Sequence, residues 1–385
     1  MPAAGLAAPS APEQASAQPP KLTYRTLGKT GLKVTSLSFG CMTTSDETVI
    51  RRAADLGIIH FDSARSYQNG NNERMVGAAL KNRRKDVILS SKTLAKTRQE
   101  AEDQLNTSLK EFGTDYLDIW YLHSRSAPEE VTDDLLEVQR AAKKAGKIRF
   151  AGVSTHFNMD KMLEHLVQRG QTDVVLTTYN FSMRNIAAQG EQSRQADMTA
   201  AIQKARKAGM GIVVMKSMAG GVARVGRGDR LYGADPEALK KVLGTKGGAL
   251  AAIKWVLKNQ SVDTAIVCMT DHDQLDENLR SMAEPFTAAD DRTLQQLLAY
   301  IAPSYCRMCG TCNGVCARGV PVPDVLRFLS YAEGYGQFAM AREHFLGLPE
   351  HVREISCGDC ASCSIDCPNG VLVRDRVMRA RELFA

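Results

Sequence analysis

The chain has 385 residues, 44% of them hydrophobic and 24% charged, and its formal net charge is +6. This is the composition of a soluble globular protein, and the length exceeds that of a single small domain. No apolar run is long enough to span a membrane, and the scattered basic residues do not favour nucleic-acid binding. The densest basic cluster, residues 224–230, is explained by a solvated loop, with a phosphate-bearing ligand or an acidic redox partner as the alternatives.

Residues 1–20 are rich in Ala, Pro, Ser and Gln and lack the apolar side chains that a folded segment needs. We therefore expect this segment to be disordered. No basic stretch precedes an apolar core, so the segment is not a signal peptide as it stands. It does resemble the stretch that follows a cleaved export signal. We expect a cytoplasmic protein, with export of the folded protein to the periplasm as the alternative if an upstream signal was removed.

The middle of the chain alternates short apolar runs with amphipathic stretches. Eight such strands, each followed by a helix, predict a parallel sheet closed into an α/β (β/α)8 TIM barrel, with an upstream hairpin at residues 22–34 closing its bottom. The predicted strands are 37–40, 58–61, 87–91, 117–122, 148–154, 174–179, 211–216 and 264–269. The predicted helices include 46–56, 100–112, 132–145, 159–169, 195–208, 248–258 and 273–283.

Eight of the ten cysteines lie near the C-terminus in two runs with the same spacing, C-x2-C-x2-C-x3-C. This spacing is typical of [4Fe–4S] ligation, and the repeated run resembles a dicluster ferredoxin domain. In such domains the fourth cysteine of each run binds the other cluster. The resemblance therefore implies one set of Cys306, Cys309, Cys312 and Cys367, and another of Cys357, Cys360, Cys363 and Cys316.

Zinc and disulfide bonds are the alternatives for these cysteines. Structural zinc usually takes four thiolates from two separated pairs, which would leave the third cysteine of each run unused. Disulfides need an oxidising compartment. Cys41 and Cys268 lie outside the runs, and we interpret them as small buried hydrophobic residues.

Helical apolar spacing at 322–331 and 338–345 predicts an α-helical ferredoxin-like domain over 301–385, after a barrel over 21–300.

Polar residues follow several predicted barrel strands at the end where a barrel carries its catalytic groups. Asp62, Tyr67, Lys92 and His123 are the candidates, and the sequence around them resembles the aldo-keto reductase family. The whole chain resembles members of that family with a C-terminal dicluster domain. The matching motifs are Leu27-Gly28-Lys29-Thr30-Gly31-Leu32-Lys33-Val34, Phe61-Asp62-Ser63-Ala64-Arg65-Ser66-Tyr67, Asn72-Glu73, Ser90-Ser91-Lys92, Asp115-Tyr116-Leu117-Asp118 with Leu122-His123, Gly152-Val153-Ser154, and Glu277-Asn278.

The resemblance implies a role for each of the four residues. Tyr67 gives a proton to a carbonyl oxygen, and His123 orients that carbonyl. We expect Lys92 to lower the pKa of Tyr67 and Asp62 to pair with Lys92. Taken one at a time, each side chain is more simply structural: a rim aromatic, a strand-end histidine or an ordinary ion pair. Their occurrence together on successive strand ends favours a catalytic set.

The resemblance also implies a nicotinamide dinucleotide, NAD(P)H, across the barrel mouth. The site departs from the family pattern, because Thr155 stands where Asn is usual and Leu176 where Gln is usual. After the last strand there are two acids and no arginine, which favours NAD over NADP. The implied nucleotide contacts are Ser154, Thr155, Lys216, Met269, Asp271, Glu277 and Asn278.

Three functions remain open at this point. The first is an oxidoreductase that interconverts a carbonyl and an alcohol, with the clusters either exchanging electrons with a partner or shaping the site. The second is an electron-transfer oxidoreductase without free nicotinamide, in which a flavin at the barrel top couples two-electron to one-electron steps. The third is a nucleotide-binding regulatory barrel without turnover. The substrate of an enzyme of this kind is a small carbonyl compound or alcohol.

Overall fold

The computed structural model describes residues 21–183, 198–219 and 247–385. Two segments about which the sequence makes predictions, the disordered segment 1–20 and the basic cluster 224–230, lie outside these residues. The described strands form a two-stranded antiparallel hairpin and a closed barrel of eight parallel strands. They are β1 Tyr24–Thr26 and β2 Lys33–Thr35 in the hairpin, then β3 Leu37–Gly40, β4 His60–Asp62, β5 Ile88–Thr93, β6 Leu117–Leu122, β7 Ile148–Thr155, β8 Val174–Thr178, β9 Gly211–Met215 and β10 Thr264–Cys268.

The predicted barrel is confirmed, and each of the eight predicted strands overlaps an observed one. Neighbours in the barrel follow chain order, and β10 closes the ring by pairing with β3. Parallel strands in such a barrel are buried on both faces, so they occur as continuous apolar runs that can be recognised in the sequence. The carboxyl ends of all eight strands consequently meet at one mouth.

Helices surround the barrel and continue into the C-terminal region. The helix Asn71–Leu80 was not among those predicted, because Asn72 and Glu73 are polar side chains that are fully buried and interrupt its apolar pattern. The barrel-associated helices are Glu47–Asp55, Asn71–Leu80, Arg98–Phe112, Asp133–Lys144, Met159–Arg169, Thr199–Lys207, Gly248–Leu257, His272–Leu279 and Ala288–Ile301. The helices after them are Val322–Glu333, Phe338–Leu346, Glu350–Arg353 and Val373–Phe384.

The hairpin closes the bottom of the barrel, as the sequence predicts. Leu27, Leu32 and Val34 pack in one buried cluster with side chains from the barrel interior. The turn approaches the barrel so closely that a Cβ on Gly28 would lie 2.3 Å from the backbone nitrogen of Gly211. Gly28 also has a φ of +51°, so this turn requires glycine for both space and conformation.

The C-terminal region has its own hydrophobic core, separate from that of the barrel. The helix Val322–Glu333, called the cap helix below, and the helix Val373–Phe384 both contribute to this core. The cap helix also reaches the barrel mouth, because Arg327 donates a hydrogen bond to the hydroxyl of Ser124 at 3.2 Å. In the part of the chain that the structure describes, no helix combines the length and apolar character needed to cross a membrane.

Candidate active site

Three strand ends and one turn bring the four predicted side chains together at the barrel mouth. Asp62 is the last residue of β4, Lys92 is the penultimate residue of β5, and His123 follows β6 directly. Tyr67 lies in the turn after β4 and lines the same cavity as Asp62 and His123. The structure therefore places all four residues at one site, as expected for the carboxyl ends of a parallel barrel.

Lys92 is at the centre of this site. Its Nζ lies 2.5 Å from Oδ2 of Asp62 and 3.2 Å from Oη of Tyr67, and it also donates to the carbonyl oxygen of Ser63. Both charged side chains are 1% exposed. The ammonium group therefore has three oxygen partners, which satisfy its three donors inside the barrel.

A chain of buried polar side chains continues behind Asp62. Ser90 donates to Oδ1 of Asp62 at 2.6 Å, and its hydroxyl lies 3.0 Å from Nε2 of His60. The other ring nitrogen of His60 lies 3.1 Å from the hydroxyl of Ser38. Burial lowers the pKa of His60 to about 4, so the ring is neutral. Both carboxylate oxygens of Asp62 thus have partners, and its orientation toward Lys92 is fixed.

The pKa of Tyr67 differs from the expectation drawn from the sequence. Burial raises the pKa of this phenol well above its usual value, and the charge of Asp62 adds to the increase. The expected lowering of the pKa by Lys92 is therefore wrong, because burial is the largest effect on this phenol and the charge of Asp62 acts in the same direction. Tyr67 therefore holds its proton at neutral pH, which suits a proton donor.

His123 faces Tyr67 across the cavity. The two rings meet edge to face with their centres 5.9 Å apart. Burial lowers the pKa of His123 well below its usual value, and the charges of Lys92 and Arg327 act in the same direction. The ring is therefore neutral, and its Nδ1 is buried without a hydrogen-bond partner among the described residues. Such an atom is available to a ligand.

The cap helix forms one wall of the cavity, which the sequence did not reveal. Arg327 and Tyr331 of this helix line the cavity, as do Tyr335 and His344 beyond it. The guanidinium group of Arg327 lies 5.1 Å from the ring centre of Phe157 in the barrel. The only sequence signal for this contact is a single arginine within an otherwise apolar helical pattern.

Lys216 is the second lysine of the cavity, and it contacts the cap helix. Its Nζ lies 4.9 Å from the ring centre of Tyr331. Its backbone has a φ of +58°, which is uncommon for a residue with a side chain and is found most often at functional sites. Burial lowers the pKa of Lys216, and Lys216 together with Arg327 lowers the pKa of Tyr331.

The cavity enclosed by these residues has a volume of about 280 Å³. His156 and Ser217 also line it, although the sequence did not single them out. Both are buried, and neither His156 Nδ1 nor Ser217 Oγ has a hydrogen-bond partner within the described residues. His156 directly follows β7 and Ser217 is the second residue after β9, and these positions are the signal that could have identified them, since strand ends meet at the mouth.

The predicted nucleotide contacts lie in different environments, and among them Lys216 lines the cavity. Ser154 and Thr155 are fully buried: the hydroxyl of Ser154 accepts from the backbone of Ser124, and that of Thr155 donates to the carbonyl of Phe157. Either would have to exchange these bonds to hold a carboxamide.

The remaining four predicted contacts follow the end of β10. Met269 is buried in the barrel core. Asp271 caps the helix His272–Leu279, and Glu277 and Asn278 belong to that helix.

The cysteines of the two runs form two groups that each draw on both runs. Cys306, Cys309 and Cys312 line one small cavity together with Cys367 of the second run. The other group surrounds Cys357, whose pKa is raised by burial and by the nearby thiols of Cys316, Cys360 and Cys363. The grouping has the same membership as the two ligand sets implied by the sequence, and the role of these cysteines as cluster ligands stays a prediction.

None of the ten cysteines, all of which lie in the described residues, forms a disulfide bond. Within the described residues, no group of three or more His, Cys, Asp or Glu side chains is arranged to hold a single metal ion. Cys41 and Cys268, interpreted as buried hydrophobic residues, both line the cavity at the barrel mouth. Cys41 is fully buried and Cys268 is partly buried.

The barrel and its mouth match a known family of enzymes. The sequence pattern of the Aldo/keto reductase family matches residues 38–299, which is most of the chain. The chain belongs to this family. It is therefore an oxidoreductase of the aldo-keto reductase type, and the matched residues include all eight barrel strands except the first residue of β3.

Individual proteins with reductase names, and one channel subunit, are similar to this aldo-keto reductase. It is 25% identical to an L-glyceraldehyde 3-phosphate reductase of Escherichia coli O157:H7, over 68% of this chain and 88% of that protein. It is also 25% identical to a probable voltage-gated potassium channel subunit beta of Arabidopsis thaliana, over 68% and 91% of the two chains. The solved holo form of an aldo-keto reductase from Bacillus halodurans shares 26% identity, with a TM-score of 0.58 over 72% of this chain and 96% of that one.

Proposed function

We propose that this aldo-keto reductase converts a small carbonyl compound to an alcohol at the cavity of the barrel mouth, with a reduced nicotinamide dinucleotide. The observation that carries the proposal is the contact of Lys92 Nζ with Tyr67 Oη at 3.2 Å, beside neutral His123, whose Nδ1 has no hydrogen-bond partner among the described residues. A protonated phenol and a neutral imidazole around one cavity are suited to binding and protonating a carbonyl oxygen.

Each of the four residues has a distinct task in this reaction. The carbonyl oxygen accepts a hydrogen bond from His123 and takes the proton of the Tyr67 hydroxyl. Lys92 stabilises the phenolate that this transfer leaves, and Asp62 keeps the lysine charged and oriented inside the barrel. When bound, the reduced nicotinamide supplies the hydride that the carbonyl carbon gains. The carbonyl thus receives a hydride on carbon and a proton on oxygen, which makes the alcohol.

Several residues suit the nicotinamide dinucleotide. The unpartnered polar atoms of His156 and Ser217 fit a carboxamide, which both donates and accepts hydrogen bonds. Lys216, Asp271, Glu277 and Asn278 stay proposed contacts for the rest of the molecule. Asp271 and Asp273 at the start of the helix after β10 would repel a 2′-phosphate, so we propose that NAD(H) binds at least as tightly as NADP(H).

A deuterium-transfer experiment tests this function. The wild-type enzyme is given an aldehyde and NADH deuterated at C4 of the nicotinamide, and the alcohol is examined by NMR. We expect deuterium on the carbinol carbon. Turnover with solvent hydrogen at that carbon would favour a bound flavin, and nucleotide binding without turnover of any carbonyl would favour a regulatory barrel.

The nucleotide preference is tested by titrating NADH and NADPH against the wild type and Arg227→Ala by fluorescence. We expect a Kd for NADH no larger than that for NADPH in both proteins. A strong NADPH preference that disappears in Arg227→Ala would show that the basic cluster 224–230, and not the stretch after β10, recognises the 2′ position.

We also propose that the C-terminal region, residues 301–385, is a ferredoxin-like domain with two [4Fe–4S] clusters, following the barrel of residues 21–300 and a disordered segment 1–20. Support comes from the repeated spacing and from the grouping of Cys367 with the first run. Cysteine thiolates are the ligands of such clusters. A cubane cluster keeps its cysteines further apart than a single ion does, because each cysteine binds a different iron. Bound clusters would exchange single electrons, with a redox partner protein as the other party.

Metal analysis of anaerobically purified protein tests the cluster proposal. We expect about eight irons and eight acid-labile sulfides per chain, and a brown colour that dithionite bleaches. Cys312→Ser should lose about four irons, and the double variant Cys312→Ser/Cys367→Ser should lose the same four. Cys312→Ser/Cys363→Ser should lose about eight, because the two cysteines belong to different groups.

Two results would contradict this proposal. Stoichiometric zinc without acid-labile sulfide would show that the cysteines bind zinc and not iron–sulfur clusters. Loss of about eight irons in Cys312→Ser/Cys367→Ser, with about four retained in Cys312→Ser, would show that the fourth cysteine stays with its own run.

A further inference from the structure

We propose that the carbonyl substrate carries an anionic oxygen group, a carboxylate or a phosphate, and that Arg327 of the cap helix binds it. This inference rests on the proposed function, because it names the substrate class of the same site. Arg327 lies beyond residues 38–299, where the family pattern matches, so its contribution is specific to chains that have this C-terminal region.

The charges around the cavity are mainly positive. Among the described residues that line it, Asp62 is the only carboxylate, and its charge is balanced by Lys92. No described carboxylate contacts Lys216, which meets Tyr331 instead. Two cations thus face a cavity with a single, already paired carboxylate. An anionic ligand would lower the cost of holding these partly buried cations at the cavity.

Two hydrogen bonds orient the guanidinium group of Arg327, and this group has further N–H donors that can bind a ligand. One terminal nitrogen donates to Ser124 Oγ at 3.2 Å and the other to Asp324 at 2.9 Å. The side chain of Asp324 is 40% exposed, so solvent weakens this pair. The Nε of Arg327 is buried without a partner in the described structure. A guanidinium group has five N–H donors, and those left here can bind an oxyanion with two bonds.

The position of Arg327 relates the anion to the reacting carbonyl. Its hydrogen-bond acceptor, Ser124, directly follows His123, which is the proposed partner of the carbonyl oxygen. The positive charge of Arg327 also reaches the rings of His123 and His156, since it lowers the pKa of both. A small molecule can therefore span the two groups, with its carbonyl at His123 and its anion at Arg327.

The test compares charged and neutral substrates in matched pairs. The carboxylate pair is 4-oxobutanoate and its methyl ester, and the phosphate pair is glyceraldehyde 3-phosphate and glyceraldehyde. For each pair the measured quantity is the ratio of kcat/KM for the anion to kcat/KM for the neutral compound. We expect a ratio of at least ~10 for the wild type in at least one pair, as one charge-assisted interaction provides. The pair with the larger ratio identifies the anion.

Two arginine variants show whether the ratio depends on Arg327. Arg327→Met should lower it by ~10-fold or more, and Arg327→Lys, which keeps the charge but not the planar fork, should lower it less. Arg342→Met is the matched control, because Arg342 is exposed on the next helix and does not line the cavity. It should leave the ratio unchanged.

A binding measurement gives the same information without turnover. The product anion 4-hydroxybutanoate, or glycerol 3-phosphate for the phosphate pair, should raise the Tm of the wild type and of Arg342→Met. It should not raise the Tm of Arg327→Met. If Arg327→Met does not fold, the reduced ratio and reduced Tm shift of Arg327→Lys serve as the test.

Three results would overturn the inference. The first is a wild-type ratio near one in both pairs. The second is an unchanged ratio in Arg327→Met. The third is an increase in the Kd for NADH in Arg327→Met that matches, as a fold-change, the decrease in the kcat/KM ratio. That result would show that Arg327 binds the dinucleotide. If the wild type reduces none of the four compounds, the proposed function fails, and the Tm shift by the product anion decides the anion site separately.

Discussion

Two lysine–tyrosine pairs lie at the barrel mouth, and a carboxylate is bonded to the lysine in only one of them. On the barrel side, Lys92 contacts Tyr67 and is bonded to the buried carboxylate of Asp62. On the side of the cap helix, Lys216 contacts Tyr331 without a described carboxylate. The pKa of Tyr67 is raised by burial, whereas the pKa of Tyr331 is lowered by Lys216 and Arg327.

The difference shows that a lysine does not by itself lower the pKa of a neighbouring tyrosine. Where a carboxylate balances the ammonium group, burial dominates and the phenol holds its proton more tightly. At Tyr331 burial and the charge of Asp324 raise the pKa of the phenol, but no carboxylate is bonded to the lysine, and the charges of Lys216 and Arg327 outweigh both effects. The barrel pair is therefore suited to donating a proton, and the pair on the cap helix is suited to receiving negative charge.

The largest expected effect is on stability. Lys92→Met leaves the buried Asp62 without a counter-charge, and we expect the free energy of unfolding to fall by about 3–5 kcal/mol. Lys216→Met leaves no buried carboxylate, and we expect a change below about 1 kcal/mol. Urea denaturation of both variants measures this contrast. Lys92→Met/Asp62→Asn should recover much of the lost stability but none of the carbonyl reduction. Equal losses in the two single variants would show that Asp62 does not distinguish the pairs.

A second effect separates the two tyrosines by activity. Tyr67→Phe removes the proposed proton donor and keeps the ring, so kcat for carbonyl reduction should fall by at least ~10²-fold. The Kd for NADH, measured by fluorescence, should change little. Tyr331→Phe on the cap helix is the matched control, and its kcat for carbonyl reduction should fall by less than ~10-fold. Near-normal kcat in Tyr67→Phe on a good substrate would remove Tyr67 from the chemistry, although the fold assignment would stand.

The smallest effect is the pH dependence of stability, for which the two tyrosines have opposite signs. The unfolded state binds more protons than the folded state between the lowered pKa of Tyr331 and about 10, so Tyr331 increases stability as pH rises through that window. Tyr67 keeps its proton above about pH 10 when the unfolded chain has lost it, so stability falls there.

Urea denaturation from about pH 8 to about pH 11 measures both contributions. Tyr331→Phe should flatten the rise below pH 10, and Tyr67→Phe should reduce the fall above it. A Tyr331→Phe curve parallel to that of the wild type would mean that Lys216 and Arg327 do not act on this phenol in the folded protein.

The barrel and the positions of Asp62, Tyr67, Lys92 and His123 could be predicted because they depend on local patterns. Parallel strands are continuous apolar runs, and the order of runs and helices determines that all strand ends meet at one mouth. The polar residue after each run is then placed without knowledge of the packing. The roles of these residues and the cluster cysteines stay predictions, since they concern chemistry and not position.

The cap helix illustrates what local patterns leave open. Its apolar spacing predicts a helix with one buried face, and Val325 and Leu329 do pack in the C-terminal core. The opposite face, with Arg327 and Tyr331, contacts the barrel mouth. The apolar spacing of a helix identifies the face that is buried in its own domain. It does not identify the surface that another face of the helix contacts, because that contact involves residues distant in sequence. The environment that sets the pKa of Tyr67 was missed for the same reason.

The contact between Arg327 and Ser124 joins residues 203 positions apart, and this separation has a consequence for synthesis of the protein. Domains fold as units, with the N-terminal one first as the chain leaves the ribosome. The last barrel strand ends at Cys268, well before the cap helix begins at Val322. A newly made barrel therefore has its lysine and tyrosine in contact while one wall of its cavity is still missing. If Arg327 binds the substrate as proposed, the site for the anion is completed only when the C-terminal region folds onto the barrel.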